Sequence, residues 1–167
     1  MRKSSKPPTR LLLSIDPAKK AGVALFLDGK LVGTRAADGS KWRPLYEAIK
    51  DLLASTISTP ENTQKVVIED GWLNKGWGAK GALTLGRRRG IAQAAAEAAG
   101  FTEDPEFIGP STWQCALFGK LAADESKRKA LEYVAIRYNL TDVSEDEADA
   151  VCIGSYVLTK AIDTVEC

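Results

Sequence analysis

After a polar opening, the chain runs into RLLLSID (Arg10–Asp16), an apolar stretch that ends in a carboxylate and stops at Pro17. A short apolar run bounded in this way predicts a buried strand. Residues 22–27 predict a second strand and 30–36 a third, joined by Asp28-Gly29, a two-residue hairpin signal. Trp42, Leu45, Ile49, Leu52 and Leu53 recur at helical spacing and predict a helix over 41–55. Residues 64–70 (QKVVIED) form another short apolar run that ends in acid, again a buried strand. Residues 81–99 are alanine-rich and helical, stopped by Gly100. A short strand over 105–109 and helices over 111–118, 124–139 and Glu145–Asp163 complete the series. The order βββ-α-β-α-β-α-α-α implies a mixed sheet covered by helices.

Two predicted strands thus end in acids, Asp16 and Glu69. The last helix opens on VSEDEADAV, where Ser144 and Glu147 have the spacing of a capping box. That register puts Asp146 and Asp149 in the first turns, three apart on one face. The helix dipole accounts for acids at a helix N-terminus such as Glu145 or Asp146. It accounts less well for Asp149, beside Ala148, Val151 and Cys152, where the helix heads into the core. Strand alternation points Asp70 away from Glu69. Buried carboxylates are costly unless compensated, and cations between them supply compensation. Hard oxygen donors without histidine or cysteine select Mg²⁺ or Mn²⁺.

Composition narrows the chemistry further. The 167 residues are 44% apolar and 27% charged, the profile of one globular domain, and contain no histidine. Histidine-based triads and the usual zinc ligands are thereby excluded. Cys115, Cys152 and Cys167 have neither metal spacing nor an even count, so reduced thiols and a cytoplasmic location are expected. No apolar run reaches the length of a membrane span, and no signal peptide is expected. The net charge of +1 hides an uneven distribution. Lys75, Lys80, Arg87, Arg88 and Arg89 occupy a stretch without acids, while residues 142–167 are strongly acidic. A basic surface beside an acidic cluster suits a polyanionic substrate handled through cations, and solvated faces are the plainer account.

Four motifs, IDP…G (15–22), VVIED (66–70), ALTLGRRRG (82–90) and EDEADAVCIG (145–154), stand in this order. Together they resemble the RuvC-like Holliday junction resolvases of the RNase H-like superfamily, phage-type versions among them. The resemblance spans residues 11 to 162. It implies an RNase H-like α/β fold over 11–167, with 1–10 as a basic disordered tail. The sheet would have five strands, an antiparallel meander plus parallel strands. It implies a two-metal endonuclease that resolves four-way and other branched DNA as a homodimer. Asp16, Glu69, Asp146 and Asp149 match the four acids that hold two Mg²⁺ or Mn²⁺ ions. Lys127 is the best match to a basic catalytic residue, with Lys120 as its rival. Asp16 would be the central metal bridge.

The sequence departs from the family where Ala18-Lys19-Lys20 replaces the usual glycine after Asp-Pro, adding charge near the metals. Trp72 and Trp77 could stack on bases at a branch point, and Lys75, Lys80, Arg87, Arg88 and Arg89 could contact phosphates. The alternative is that both rings pack a loop onto the core. Trp42 and Trp113 read as core or helix-packing residues. The stretch GWGAKG (76–81) matches G-x-G-x-x-G, but it stands too far from the strand and lacks the required acid, so it reads as a decoy. Gly86, Gly90, Ala94 and Ala98 form a small-residue stripe that either packs within one chain or meets a second copy. Another RNase H-like nuclease acting on RNA and a non-catalytic DNA-binding module remain as alternatives.

Overall fold

A computed structural model describes residues 10–56, 63–71, 78–122 and 125–163. Its elements are β1 (Arg10–Asp16), β2 (Lys20–Leu27), β3 (Lys30–Asp38), α1 (Trp42–Ala54), β4 (Thr63–Glu69), α2 (Gly78–Ala98), β5 (Glu106–Ile108), α3 (Pro110–Phe118), α4 (Ser126–Tyr138) and α5 (Glu145–Asp163). They form one five-stranded sheet in the order β3-β2-β1-β4-β5. The β1–β2 and β2–β3 pairs are antiparallel, and β1–β4 and β4–β5 are parallel. The mixed sheet is the one the sequence predicts. At the first hairpin Asp28 and Gly29 both take positive φ, 50° and 78°, the conformation a type I′ turn requires.

Alternation along β1 separates two cores. Leu11, Leu13 and Ile15 face Leu45, Ile49 and Leu52 of α1 and Ala92, Ala95 and Ala96 of α2. Leu12 faces the other way, in a core with Trp113 of α3, Ala130 and Val134 of α4 and Ala148, Val151 and Cys152 of α5. Asp16 shares the parity of Leu12 and Ser14, so it faces α5. Glu69 shares the parity of Val67, which lies in that same second core. Asp70 shares the parity of Val66 and Ile68 and faces α2, where it forms an ion pair with Arg89.

Two contacts seat α5 against the sheet. Buried Ser14 donates its hydroxyl to the Ala150 carbonyl at 2.7 Å. Gly22, the cross-strand partner of Asp16, lies so near the Asp146 backbone that a Cβ would collide with it. Among the described residues, no helix is long and apolar enough to cross a membrane.

Of the core and helix-packing readings, Trp42 takes the second. It is 49% exposed and rests on Tyr46 with ring centroids 5.7 Å apart, so it packs along its own helix at the surface. The segment 78–81 is already helical, three residues earlier than the spacing predicts, and Gly76 lies outside the described residues. A turn over these glycines, which a dinucleotide site needs, is therefore missing from 78–81.

Candidate active site

The parallel β1–β4 pair has Ile15 level with Ile68, so Asp16 and Glu69 follow as neighbours at the C-terminal ends of adjacent central strands. The ends of central strands in open α/β sheets are where ligands bind. The α5 N-terminus is closed by the expected capping box. Ser144 donates its hydroxyl and backbone N–H to Glu147 Oε2 at 2.8 and 3.0 Å, and Glu147 N–H donates to Ser144 Oγ at 3.4 Å. Glu147 Oε1 also accepts the Thr34 hydroxyl at 2.9 Å, which ties the helix start to β3. Glu145 is engaged by Lys127, with Nζ 2.5 Å from Oε2. Glu145 and Glu147 thus hold the helix in place, while Asp146 and Asp149 press their charge on Asp16 and Glu69.

The charges of these four acids act on one another. Burial raises the Asp16 pKa well above the usual carboxylate range, and the charges of Glu69, Asp149 and Asp146 raise it further. Burial and then Glu69 push Asp149 up to about 7. Burial raises Glu69 against hydrogen bonds from Trp113 and Asp16. Burial also raises Asp146, while Lys127 and Lys20 oppose it. Lys20, in the Ala18-Lys19-Lys20 departure, does place its charge beside the cluster. Lys127 is drawn to the same acids: its pKa is raised first by the Glu145 bond, then by the charges of Glu145, Asp146 and Asp149.

The side chains as they stand do not form a metal cage. Among the described residues, no three histidine, cysteine or acidic side chains are set to hold an ion. Instead Asp16 and Glu69 lie side by side at adjacent strand ends, and the charge of Glu69 adds to burial in raising the Asp16 pKa. The donor chemistry nevertheless fits a hard divalent cation, since these acids are carboxylates whose charges act on one another and lack a neutralising partner.

The proposed DNA-contacting residues divide. Lys80 and Arg87 are exposed on α2, and Arg88 is half-buried. Arg89 turns inward: it pairs with Asp70, donates to the Gly71 carbonyl at 3.1 Å and sits 6.0 Å from the Phe107 ring. Its guanidinium is a strut between α2 and the end of β4. Consecutive helical residues fan out by about 100°, so three adjacent arginines cannot share one surface. Trp72, Lys75 and Trp77 lie outside the described residues. The small-residue stripe faces outward: Gly86, Gly90, Ala94 and Ala98 are exposed, and a Cβ at Gly86 or Gly90 would meet nothing within 4 Å. Packing against the described residues therefore does not explain it.

Sequence reasoning missed one residue. Trp113 is fully buried and donates its indole N–H to Glu69 Oε1 at 2.9 Å. A buried indole needs an acceptor and a buried carboxylate needs a donor, and that pairing was the available signal.

No family model and no curated relative matches the chain. Solved structures do. A Thermus thermophilus RuvC structure aligns over 92% of this chain and 97% of its own, with TM-score 0.64 and 18% identity. The fold is that of RuvC. A second structure, T. thermophilus RuvC in complex with a Holliday junction substrate, aligns over 92% of this chain and 96% of its own, with TM-score 0.63 and 16% identity. The RuvC fold, of the RNase H-like type, is thus retained at low identity across nearly all of both chains.

Proposed function

We propose that this chain is a divalent-cation-dependent endonuclease that resolves four-way DNA junctions by paired phosphodiester hydrolysis. The observation that carries this reading is the placement of Asp16 and Glu69 at adjacent central strand ends of a RuvC fold, with the α5 turn of Asp146 seated on Gly22 beside them and the charge of Asp149 acting on both. These four carboxylates would hold Mg²⁺ or Mn²⁺, two ions per site. Bound there, such ions supply activated water and neutralise charge on the phosphate. The chain's own residues do the rest. Lys127 and Lys20 bring positive charge to the rim, where they offset a phosphate approaching the acids. Glu145 holds Lys127 at that rim. Lys80, Arg87 and Arg88 lie along α2 and would contact phosphates of the DNA arms.

A second copy would meet this one along Gly86, Gly90, Ala94 and Ala98, and two sites related by a two-fold axis suit a two-fold symmetric junction. Gly90→Leu should convert a dimer into a monomer by light scattering and turn paired nicks into single ones. A wild-type monomer at micromolar concentration would refute the shared interface. Arg88→Ala should weaken binding to junction and linear duplex alike and reduce the salt slope by about one, as loss of a phosphate contact does. An unchanged slope would remove Arg88 from the DNA path.

The direct test of activity uses labelled four-way junction, splayed duplex, linear duplex and RNA–DNA hybrid, each with Mg²⁺ and with chelator. Cation-dependent cutting of the junction is expected. Preferential cutting of the hybrid would indicate an RNA-directed nuclease of the same fold. Tight junction binding without cutting would indicate a non-catalytic DNA-binding module.

A further inference from the structure

We infer that Trp113 is a positioning residue for Glu69, holding one carboxylate oxygen so that the other faces the acid cluster. This rests on the proposed cation centre and assigns it a neutral, buried hydrogen-bond donor. The indole N–H meets Glu69 Oε1 at 2.9 Å, and the ring is fully buried among residues of the α5-side core. Its edge packs against Phe118, ring centroids 6.1 Å apart at 78°, and Phe118 packs in turn on Tyr133 of α4. The donor is therefore fixed by a chain of aromatic rings and not by a loop. Pro110 starts α3 directly after β5, and β5 pairs with the Glu69 end of β4, Glu69 level with Ile108. Trp113 and Glu69 are thus set on elements that share one strand pairing.

The chemistry fits an orienting role. Carboxylates that bind cations are themselves held by hydrogen bonds, and loss of such a partner typically costs about 10- to 100-fold in metal affinity or activity. An indole can only donate, so it orients the carboxylate without competing for the cation and without adding charge. A lysine or arginine in its place would pair with Glu69 and oppose cation binding.

Trp113→Phe keeps an aromatic ring in the core and removes the N–H. The expected result is about a 10- to 100-fold weaker Mg²⁺ affinity by calorimetry, with junction affinity in chelator unchanged. Mg²⁺ affinity within twofold of wild type would overturn the assignment. A second measurement does not depend on the variant folding well. In the full-length wild-type protein, one indole N–H resonance should move on Mg²⁺ titration. The same resonance should shift in Glu69→Gln, where the acceptor loses its charge. If no indole resonance responds to Glu69→Gln, the hydrogen bond is not formed in solution and the inference fails. A protein that binds Mg²⁺ through Glu69 yet leaves junctions uncut would refute the proposed activity and leave this role intact.

Discussion

Asp16→Asn, Glu69→Gln, Asp146→Asn and Asp149→Asn each abolish junction cleavage while leaving junction binding largely unchanged. Each substitution deletes a charge that a cation needs, and none removes a packing group of the core. The stability effect separates this account from a merely structural cluster. Asp149 has a folded-state pKa of about 7, above its unfolded value of about 3.9, and Asp16 is raised as well. The folded chain therefore holds protons that the unfolded chain releases. Stability is fully present below about pH 4 and is lost as pH rises toward the folded-state value, about 7 for Asp149. In chelator, Asp149→Asn should raise the melting temperature by at least about 4 °C at pH 8 and by far less at pH 4. Full activity in any one of the four variants removes that residue from the set. An equal stability gain at both pH values contradicts the electrostatic cause.

The second large effect concerns a residue with no side chain. Gly22 pairs with Asp16 across the β1–β2 ladder and lies against the backbone of Asp146. In Gly22→Ala, the added methyl group meets main chain at the start of α5, which cannot rotate out of the way. Either the first turn of α5 lifts from the sheet or β2 distorts. Overpacking of this kind costs about 1–3 kcal/mol or more. The melting temperature should therefore fall by at least about 2 °C. Misplacing Asp146 and Asp149 by about 1 Å should reduce cleavage on the order of 100-fold or more. Thermal unfolding and single-turnover cleavage check both halves. A variant with wild-type melting and rate would show that α5 does not rest on Gly22.

Much of this site was legible in the sequence because its parts are local. An acid at the end of an apolar run is a strand-end carboxylate. A serine three residues before a glutamate is a helix start, and that register fixed Asp146 and Asp149. Period-two alternation was enough to separate Glu69 from Asp70. What was not legible depends on tertiary placement. Trp113 reads as core from its neighbours alone, and only the packing of α3 beside β5 and β4 shows that its N–H reaches Glu69. Arg89 reads as one of three equivalent cations in Arg87–Arg89, and only the approach of α2 to Asp70 turns it inward. The small-residue stripe is ambiguous by composition, and its exposure depends on which face of α2 the alanines Ala92, Ala95 and Ala96 bury.

The central claim is that cations take the place of protons in this cluster. Calorimetric titration of the metal-free protein with Mg²⁺ near pH 6.5, in buffers of differing ionisation enthalpy, measures that exchange directly. Asp149, with a pKa of about 7, is largely protonated at this pH, and Asp16 is raised in the same direction, so Mg²⁺ binding should release protons, and fewer at pH 8.5. Release should vanish in the Asp16→Asn, Asp149→Asn double variant. Mg²⁺ binding with no proton release at pH 6.5, or no binding by the wild-type protein, would contradict the account.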